Sequence, residues 1–285
     1  AVRIIYQELY EQYQAENPEV DFTYDVLPGG NQALQKILAA ASVDELPDLC
    51  TVDNFWMPRL VERGIVQPLN DWWPEEDRAD FQREAIETLT FDGSIYGVQW
   101  QNAWRGLFYR SDILEEIGYS APPTNFDEFV EMGLKLKDKG YWAVMLPGMN
   151  TEVTFLHMLG MFWGFGGQLV DEIGRPVFHE GKNREALRKT YQIYYDLVNV
   201  HELMPKDIMT MDEGAIRQYL YSGEAAIVAQ SSSHMMNIRR ERPDLYDVLG
   251  TSKYPMPAGY SSVAMFGGWT YAIFTPDPVK QEAAW

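Results

Sequence analysis

Amphipathic helices and short apolar strands alternate along the first part of this chain, and this alternation narrows the possible folds more than any other feature. Apolar residues recur every three to four positions over residues 2–13 and 34–41, which predicts two helices. Residues 20–26 alternate apolar and polar side chains, and residues 49–52 form a short apolar run, so both segments are predicted strands. Strands that alternate with helices predict βα units, a largely parallel sheet and the α/β fold class.

Turn and cap residues indicate where later elements begin and end. Asp92-Gly93 predicts the turn of a β-hairpin. Thr124 or Asn125 suits the N-cap of the helix that follows, and Gly223 falls where another helix ends. The chain opens on a helix and closes on what reads as a first helical turn. We therefore expect a fragment, or a protein without its termini and any signal peptide.

Charge argues against two classes of partner. The sequence has 42 acidic and 23 basic residues among 285, which gives a formal charge of −19. Nucleic acids and anionic membrane surfaces attract clustered Lys and Arg, so we expect neither as a partner. The sequence contains no apolar run of about 18 residues, so no segment is predicted to span a bilayer.

Cysteine and histidine usage argues against metal and cofactor sites. Cys50 is the single cysteine, so the chain has no disulfide framework of its own and no multi-cysteine zinc site. The 4 histidines lack metal-ligand spacing, and the sequence has no phosphate-binding loop or nucleophile elbow. We therefore expect no metal, no cofactor and no catalytic residue. The many carboxylates leave open a pair of catalytic acids like that of glycoside hydrolases.

Aromatic residues give the first positive indication of function. Phe, Trp and Tyr make up 14% of the chain, and many stand beside Gly, Pro, Asn or Gln, which are loop residues. Such aromatics either fill a core or form a sugar site. In a sugar site the apolar ring face stacks on Trp or Tyr while the hydroxyls bond to polar side chains.

Nine segments, taken together and in order, resemble the extracellular solute-binding proteins of bacterial sugar ABC importers, the group of maltose- and trehalose-type binding proteins. The resemblance covers nearly the whole chain. Its segments are residues 17–20, 46–53, 60–69, 91–98, 107–114, 118–129, 221–227, 267–269 and 280–285. Two residues depart from the family pattern, since Gln99 stands where a proline is usual and Arg110 where an asparagine is usual. The first strand of the family and everything after Trp285 are also missing from this sequence.

The resemblance implies a two-lobed periplasmic-binding-protein fold of type II, with the ligand in a cleft between lobes joined by crossing strands. Lobe 1 would comprise residues 1–103 plus 261–285, and lobe 2 residues 104–260. In α/β folds, ligands lie beyond the carboxyl ends of strands. We expect Asp53, Asn102, Gln230 and the loop before Trp269 at such ends.

Four candidate ligand-binding residues come from the predicted lobe 1. Asp53 follows a strand and can accept hydrogen bonds from sugar hydroxyls, but it equally suits the N-cap of the next helical turn. Trp56 is either a stacking wall or a core residue at a helix start. Gly268 and Trp269 offer open space and a ring platform, with a core tryptophan on a strand as the alternative.

The hexapeptide of residues 100–105 is placed on the first crossing strand by the resemblance. It combines two tryptophans, two amides and an arginine, so it offers both stacking and hydrogen bonding. We name Gln101, Asn102 and Trp104 as candidates. The alternative is that every second side chain of the strand faces the core, which would bury half of the segment.

Three further candidates come from the predicted lobe 2. Trp163 lies among glycines that would let backbone approach a ligand, although a helix end with a left-handed glycine explains the same pattern. Gln230 and Ser231 follow a strand and start a polar run, where the alternative is a serine N-cap.

What the resemblance implies for function is the extracytoplasmic substrate-binding component of an ABC importer. Such a protein captures a sugar or oligosaccharide by hinge closure and delivers it to permease subunits in the membrane. It would be a monomer in the periplasm, or a lipoprotein at the outer face of the cytoplasmic membrane. Two alternatives stay open: a carbohydrate-active hydrolase with an acidic aromatic cleft, and a protein of the same fold that binds a polyamine or glycerol phosphate.

Overall fold

The computed structural model describes residues 2–20, 23–28 and 31–285, which divide into two compact units. Unit 1 comprises Ala1–Gln101 and Gly267–Trp285, and unit 2 comprises Asn102–Phe266. The backbone therefore passes from one unit to the other twice, and both passages lie inside strands. The lobe boundaries drawn from the sequence stay a prediction.

The described residues form helices and strands in mixed order. The helices are α1 (Val2–Glu16), α2 (Asn31–Ser42), α3 (Met57–Glu62), α4 (Arg83–Glu87), α5 (Ser111–Glu115), α6 (Phe126–Asp138), α7 (Glu152–Gly164), α8 (Gly181–Tyr195), α9 (Glu213–Ser222), α10 (Met235–Glu241), α11 (Pro243–Tyr246) and α12 (Pro278–Ala284). The strands are β1 (Leu49–Asp53), β2 (Thr90–Phe91), β3 (Ser94–Ile95), β4 (Val98–Arg110), β5 (Ile227–Ser231), β6 (Leu249–Ser252) and β7 (Met265–Ile273).

Unit 1 is built around β1 and β7. The two strands are antiparallel, with Leu49 opposite Ile273 and Asp53 opposite Trp269, and β4 is the other neighbour of β7. Helix α2 buries Ile37 in the core of this unit together with Val52, as its three-to-four-residue apolar spacing predicts. The core thus packs against the strand pair that carries Asp53 and Trp269.

Unit 2 is built around β4 and β5. The strands are antiparallel, with Arg105 opposite Ser231, and β6 pairs with the later part of β4. Phe108 on β4 and Phe129 on α6 are fully buried in the same core cluster. This packing fixes the middle of β4 beside the end of β5, where several candidate residues lie.

The prediction of a largely parallel sheet is wrong. The pairings β1–β7, β4–β5 and β4–β6 are all antiparallel, and parallel pairing occurs in isolated bridges such as Met145–Val228. The reason is that β1 and β4 each pair with a strand from far along the chain that runs in the opposite direction, β7 in one case and β5 in the other. Alternation fixes the order of elements, but the choice of sheet neighbours depends on the whole chain.

The strand predicted over residues 20–26 is also wrong for the described part of that segment. Asp21 and Phe22 lie outside the described residues, as do Gly29 and Gly30 of a predicted turn, while residues 23–28 form no strand. Tyr24 and Val26 are exposed rather than half-buried. Alternation of side chains makes a strand only where a neighbouring strand pairs with the backbone N–H and C=O groups. No strand in the part of the chain that the structure describes pairs with residues 23–28.

Local turn and cap predictions are confirmed. Asp92 and Gly93 have positive φ angles of 48° and 81° and join β2 to β3 as a hairpin turn. Asn125 rather than Thr124 is the N-cap of α6, because its side chain accepts from the backbone N–H groups of Asp127 and Glu128. Gly223 ends α9 in the left-handed conformation.

Candidate functional site

An acid and two tryptophans meet in unit 1 where the end of β1 pairs with the middle of β7. Asp53 is the last residue of β1, and its Oδ1 accepts from the backbone N–H of Phe55 at 3.0 Å, so it caps the 3-10 turn Asn54–Trp56. Trp56 is 4% exposed and packs edge-on against Trp269, with ring centroids 5.7 Å apart. Trp269 itself is half-buried. Asp53 is thus paired across the strands with Trp269, a half-buried indole that packs on the buried indole of Trp56.

Gly268 and Gln101 lie together in the same unit, for a structural reason. A Cβ on Gly268 would stand 1.8 Å from the backbone oxygen of Gln101. The glycine therefore permits close approach of β7 and β4, and the neighbour that fills the space is protein backbone. Both residues are half-buried. Trp269 lies in β7 as predicted, but the residues directly before it also belong to β7, so the loop predicted there is wrong.

A buried amide network supports this group, and the candidate set missed it. Gln99 is 5% exposed; its Oε1 accepts from Asn54 Nδ2 at 3.0 Å, and its Nε2 donates to the backbone oxygens of Gln101 and Gly267 at 3.2 Å each. Thr270 donates to the Oδ1 of Asn54. The only sequence signal was the departure of Gln99 from the usual proline, and proline has no side-chain amide to make these bonds.

In unit 2, Trp104 and Ser231 meet where β4 pairs with β5. Trp104 is half-buried, packs on Phe108 with ring centroids 5.8 Å apart, and donates its backbone N–H to Ser232 Oγ at 3.0 Å. Ser231 is 4% exposed and caps the 3-10 turn Ser232–His234, so the cap alternative describes its side chain. Trp104 is thus held next to the hydrogen-bonded pair of β4 and β5.

Gln230 is enclosed in unit 2 and its amide is engaged within the protein. The residue has no exposed surface, its Nε2 donates to the backbone oxygen of Glu213 at 2.8 Å, and its Oε1 lies 2.8 Å from Nδ1 of His234. His234 also contacts Arg217 Nη1. The position of Gln230 next to the end of β5 matches the prediction, while its side chain points into this internal network.

Asn102 and Trp163 complete the unit 2 candidates. Asn102 is exposed and lies in the middle of β4, so its predicted place at a strand end is wrong: the strand is longer than the apolar run Leu107–Tyr109 suggested. Trp163 is half-buried near the end of α7, and Gly166 beyond it has a φ of 79°. Trp163 packs against a core cluster that contains Phe162.

A buried acid–histidine–tyrosine network lies behind β5 and was absent from the candidate set. Nε2 of His157 is 3.1 Å from Oε1 of Glu213, and Nδ1 of His157 is 2.6 Å from the hydroxyl of Tyr254. Oε1 of Glu213 also accepts from the backbone N–H of Ser231 at 2.5 Å. The network ties α7, α9 and the segment after β6 to the site strand. No sequence spacing indicates it, because its members are far apart in the chain.

Charge and protonation in this network follow from burial and hydrogen bonding. Burial lowers the pKa of His157, and the hydrogen bond to Glu213 opposes that shift only in part. Burial alone would raise the pKa of Glu213, but the hydrogen bond from His157 and the positive charge of Arg105 outweigh burial and leave the pKa lowered. At neutral pH, Glu213 is therefore a carboxylate and His157 a neutral imidazole that donates from Nε2 and accepts from Tyr254.

A pocket of about 300 Å³ opens within unit 2 beside Trp104. One wall comes from the middle of β4, and the others come from β6 with the residues after it and from the segment before β7. Its lining residues are Trp104, Arg105, Gly106, Thr251, Ser252, Lys253, Tyr254, Ser262, Val263 and Ala264. A volume of this order suits a small ligand or one ring of a longer one.

The described residues give few signs of other chemistry. Across residues 2–20, 23–28 and 31–285, no group of three or more His, Cys, Asp or Glu side chains is placed to hold a metal ion. Burial raises the pKa of the Cys50 thiol to about 11, so it is protonated at neutral pH and a poor nucleophile. Within the same described ranges, every helix is too short or too polar to cross a membrane.

Comparison with known proteins places the chain among binding proteins. The family model described as bacterial extracellular solute-binding protein matches residues 3–285. A binding protein of Brucella abortus (strain 2308) is 22% identical over 98% of this chain and 66% of its own length. The maltotriose-binding protein of Pyrococcus abyssi (strain GE5 / Orsay) is 25% identical over 99% of this chain and 58% of its own length.

A solved structure gives the same picture for the fold. Maltose-bound MalE3 of T. maritima matches with a TM-score of 0.85 at 24% identity, over 99% of this chain and 72% of that one. This likeness confirms the predicted two-lobed α/β fold class. The chain spans about two thirds of the length of the Brucella relative.

Proposed function

We propose, since the chain belongs to the family of bacterial extracellular solute-binding proteins, that it captures a sugar or oligosaccharide for an ABC importer. The observation that carries the sugar assignment is the pairing of tryptophan with polar groups in each unit. Trp269 lies opposite Asp53 in unit 1, and Trp104 lines the pocket of unit 2. Sugar rings need such an apolar face with hydrogen-bonding groups beside it.

The predicted site residues divide into two roles in this proposal. Asp53, Gln101, Asn102, Trp104, Trp163 and Trp269 contact the ligand, because each keeps some exposed surface. Trp56, Gln230, Ser231 and Gly268 position them, because they are enclosed or are tied to a neighbouring strand. The relatives support the ligand class, since one is a maltotriose-binding protein and a solved one holds maltose.

Capture by hinge bending and delivery to a membrane permease complete the proposal. The support for hinge bending is that the chain passes between the units twice, once within β4 and once within β7. The family description supports a place outside the cytoplasm. In our proposal the protein acts as a monomer in the periplasm or on a lipid anchor, and it catalyses no reaction.

The test is calorimetry and thermal unfolding of the chain with mono- and oligosaccharides, together with chromatography of each saccharide after incubation. We expect one saccharide class to bind saturably, to raise the unfolding temperature and to be recovered unchanged. Trp104→Ala should weaken binding about tenfold or more, because it removes a stacking face. Trp285→Ala is the matched control, since it removes a partly exposed tryptophan from outside the candidate set.

Two outcomes would overturn the proposal. Absence of binding by every saccharide would remove the sugar assignment. Release of a shortened saccharide, abolished when one carboxylate is changed to its amide, would establish the hydrolase alternative instead.

A further inference from the structure

The guanidinium of Arg105 is the unexplained group of the unit 2 pocket. Its Nε is buried and has no hydrogen-bond partner, and no ion pair found among the described residues involves Arg105. A buried donor left unpaired is costly, so native proteins almost always supply a partner from protein, water or ligand. Because Arg105 lines the pocket, that partner is to be sought there.

The charges that line this pocket are opposite to the charge of the chain. Among the described residues, the lining includes Arg105 and Lys253 and no Asp or Glu, although the chain has 42 acidic residues against 23 basic ones. Glu213 is close enough to Arg105 for its pKa to be affected, but Oε1 of Glu213 accepts from His157 and from the backbone of Ser231. The pocket is therefore a local positive region on an acidic protein, and such a region attracts anions.

The remaining lining fits a ring that carries the anion. Trp104 brings an indole ring to the pocket lining, and Ser252 and Ser262 bring hydroxyl groups. A guanidinium binds carboxylate or phosphate oxygens through two parallel hydrogen bonds, which an uncharged hydroxyl does not match. Lys253 is exposed and would act as a second, less directional charge.

We propose that this pocket receives an oxyanion of the captured ligand, so that the substrate class is an acidic saccharide: one that bears a uronate carboxylate or a phosphate. The inference rests on the proposed function, from which it takes the saccharide. Arg105 pairs with the oxyanion, Trp104 stacks on the ring, and Lys253 adds attraction at the pocket mouth.

The test compares saccharides that differ only in charge. Calorimetry at constant ionic strength measures glucose against glucuronate and glucose 6-phosphate, and galactobiose against digalacturonate, with acetate and inorganic phosphate as sugar-free anions. We expect one of the acidic saccharides to bind at least tenfold more tightly than its neutral counterpart and than either free anion. Raising the salt concentration should weaken the acidic saccharide and leave the neutral one unchanged.

Three variants assign the effect to the pocket. Arg105→Gln should remove the tenfold preference while neutral saccharides keep their affinity, and Lys253→Gln should remove part of it. Lys182→Gln is the matched control, because Lys182 is exposed on α8 and does not line the pocket. Since Lys253 is exposed, its variant tests the inference even where the Arg105 variant unfolds.

The outcomes separate this inference from the proposal on which it rests. Equal binding of neutral and acidic saccharides, or an equal loss for both in Arg105→Gln, overturns the acidic class and leaves sugar capture standing. Free phosphate or acetate that binds as tightly as the acidic saccharide overturns the requirement for a sugar ring. Absence of binding by all saccharides overturns sugar capture itself.

Discussion

At the scale of single residues, His157 shows how burial controls protonation in unit 2. The side chain has no exposed surface, and both ring nitrogens are engaged, one with Glu213 and one with Tyr254. Burial lowers its pKa from the ordinary value of 6.5, so the folded protein holds a neutral imidazole at a pH where the unfolded chain binds a proton. Proton binding by the unfolded state then opposes folding in mild acid.

We predict that the free energy of unfolding decreases as the pH falls below about 6.5 towards the lowered pKa of His157. The sign follows because the unfolded state binds more protons over that window, and one proton contributes at most about 1.4 kcal/mol per pH unit. Urea unfolding of the parent and of His157→Gln, at pH 7.5 and pH 5.5, measures the difference. His179→Gln is the control because His179 is exposed. An unchanged pH slope in His157→Gln would contradict the assignment.

The sequence predicted some site residues and missed others for physical reasons. Asp53 follows an apolar run directly, so its place at a strand end was visible from adjacent residues. Glu213 and His157 stand 56 positions apart, and only packing brings them together. The same holds for Gln99 and Gly267, which are 168 positions apart. A buried hydrogen-bond network has no local signal, because each member alone looks like an ordinary polar residue.

At the scale of elements, the N-cap of α6 distinguishes two adjacent residues. We predict that Asn125→Ala lowers the free energy of unfolding by about 1 kcal/mol, since its Oδ1 accepts from the N–H groups of Asp127 and Glu128. Thr124→Ala should have little effect, because the exposed Thr124 side chain is not the cap. Chemical denaturation of both variants measures this difference, and equal losses would count against the cap.

Close strand approach gives a second prediction at this scale. Gly268→Ala should lower the free energy of unfolding by about 3 kcal/mol without any ligand present, because the new Cβ would overlap the Gln101 backbone oxygen 1.8 Å away. Gly214→Ala is the matched control: it lies in α9, and its nearest neighbour would be 3.3 Å from the added carbon. A Gly268→Ala variant as stable as the parent would contradict the role of that glycine in strand pairing.

Elements whose signals are local were predictable, and sheet neighbours were not. The β2–β3 hairpin follows from two turn residues, and α2 follows from its apolar spacing. The antiparallel arrangement of β1 does not, because its partner β7 lies at the other end of the chain. Residues 23–28 show the converse case, in which an alternating pattern without a pairing partner forms no strand.

At the scale of the whole molecule, the net charge of −19 predicts a general response to salt. Like charges repel most when the chain is compact, so screening stabilises the folded state relative to the unfolded one. We predict that the unfolding temperature rises when NaCl increases from about 10 mM to about 150 mM, where the Debye length falls to about 8 Å. KCl should act alike, since screening does not depend on the cation. A fall in unfolding temperature would show that specific ion pairs outweigh the net repulsion.

Unit 2 is inserted within the sequence of unit 1, and this order has a consequence for folding during synthesis on the ribosome. Residues 102–266 are continuous, whereas unit 1 needs both the first 101 residues and the segment from Gly267 onward. Strand β1 is made early but waits for β7, because Asp53 pairs with Trp269. We therefore expect unit 2 to acquire its tertiary structure first during synthesis, while residues 2–101 stay open to chaperones until the segment from Gly267 onward has emerged.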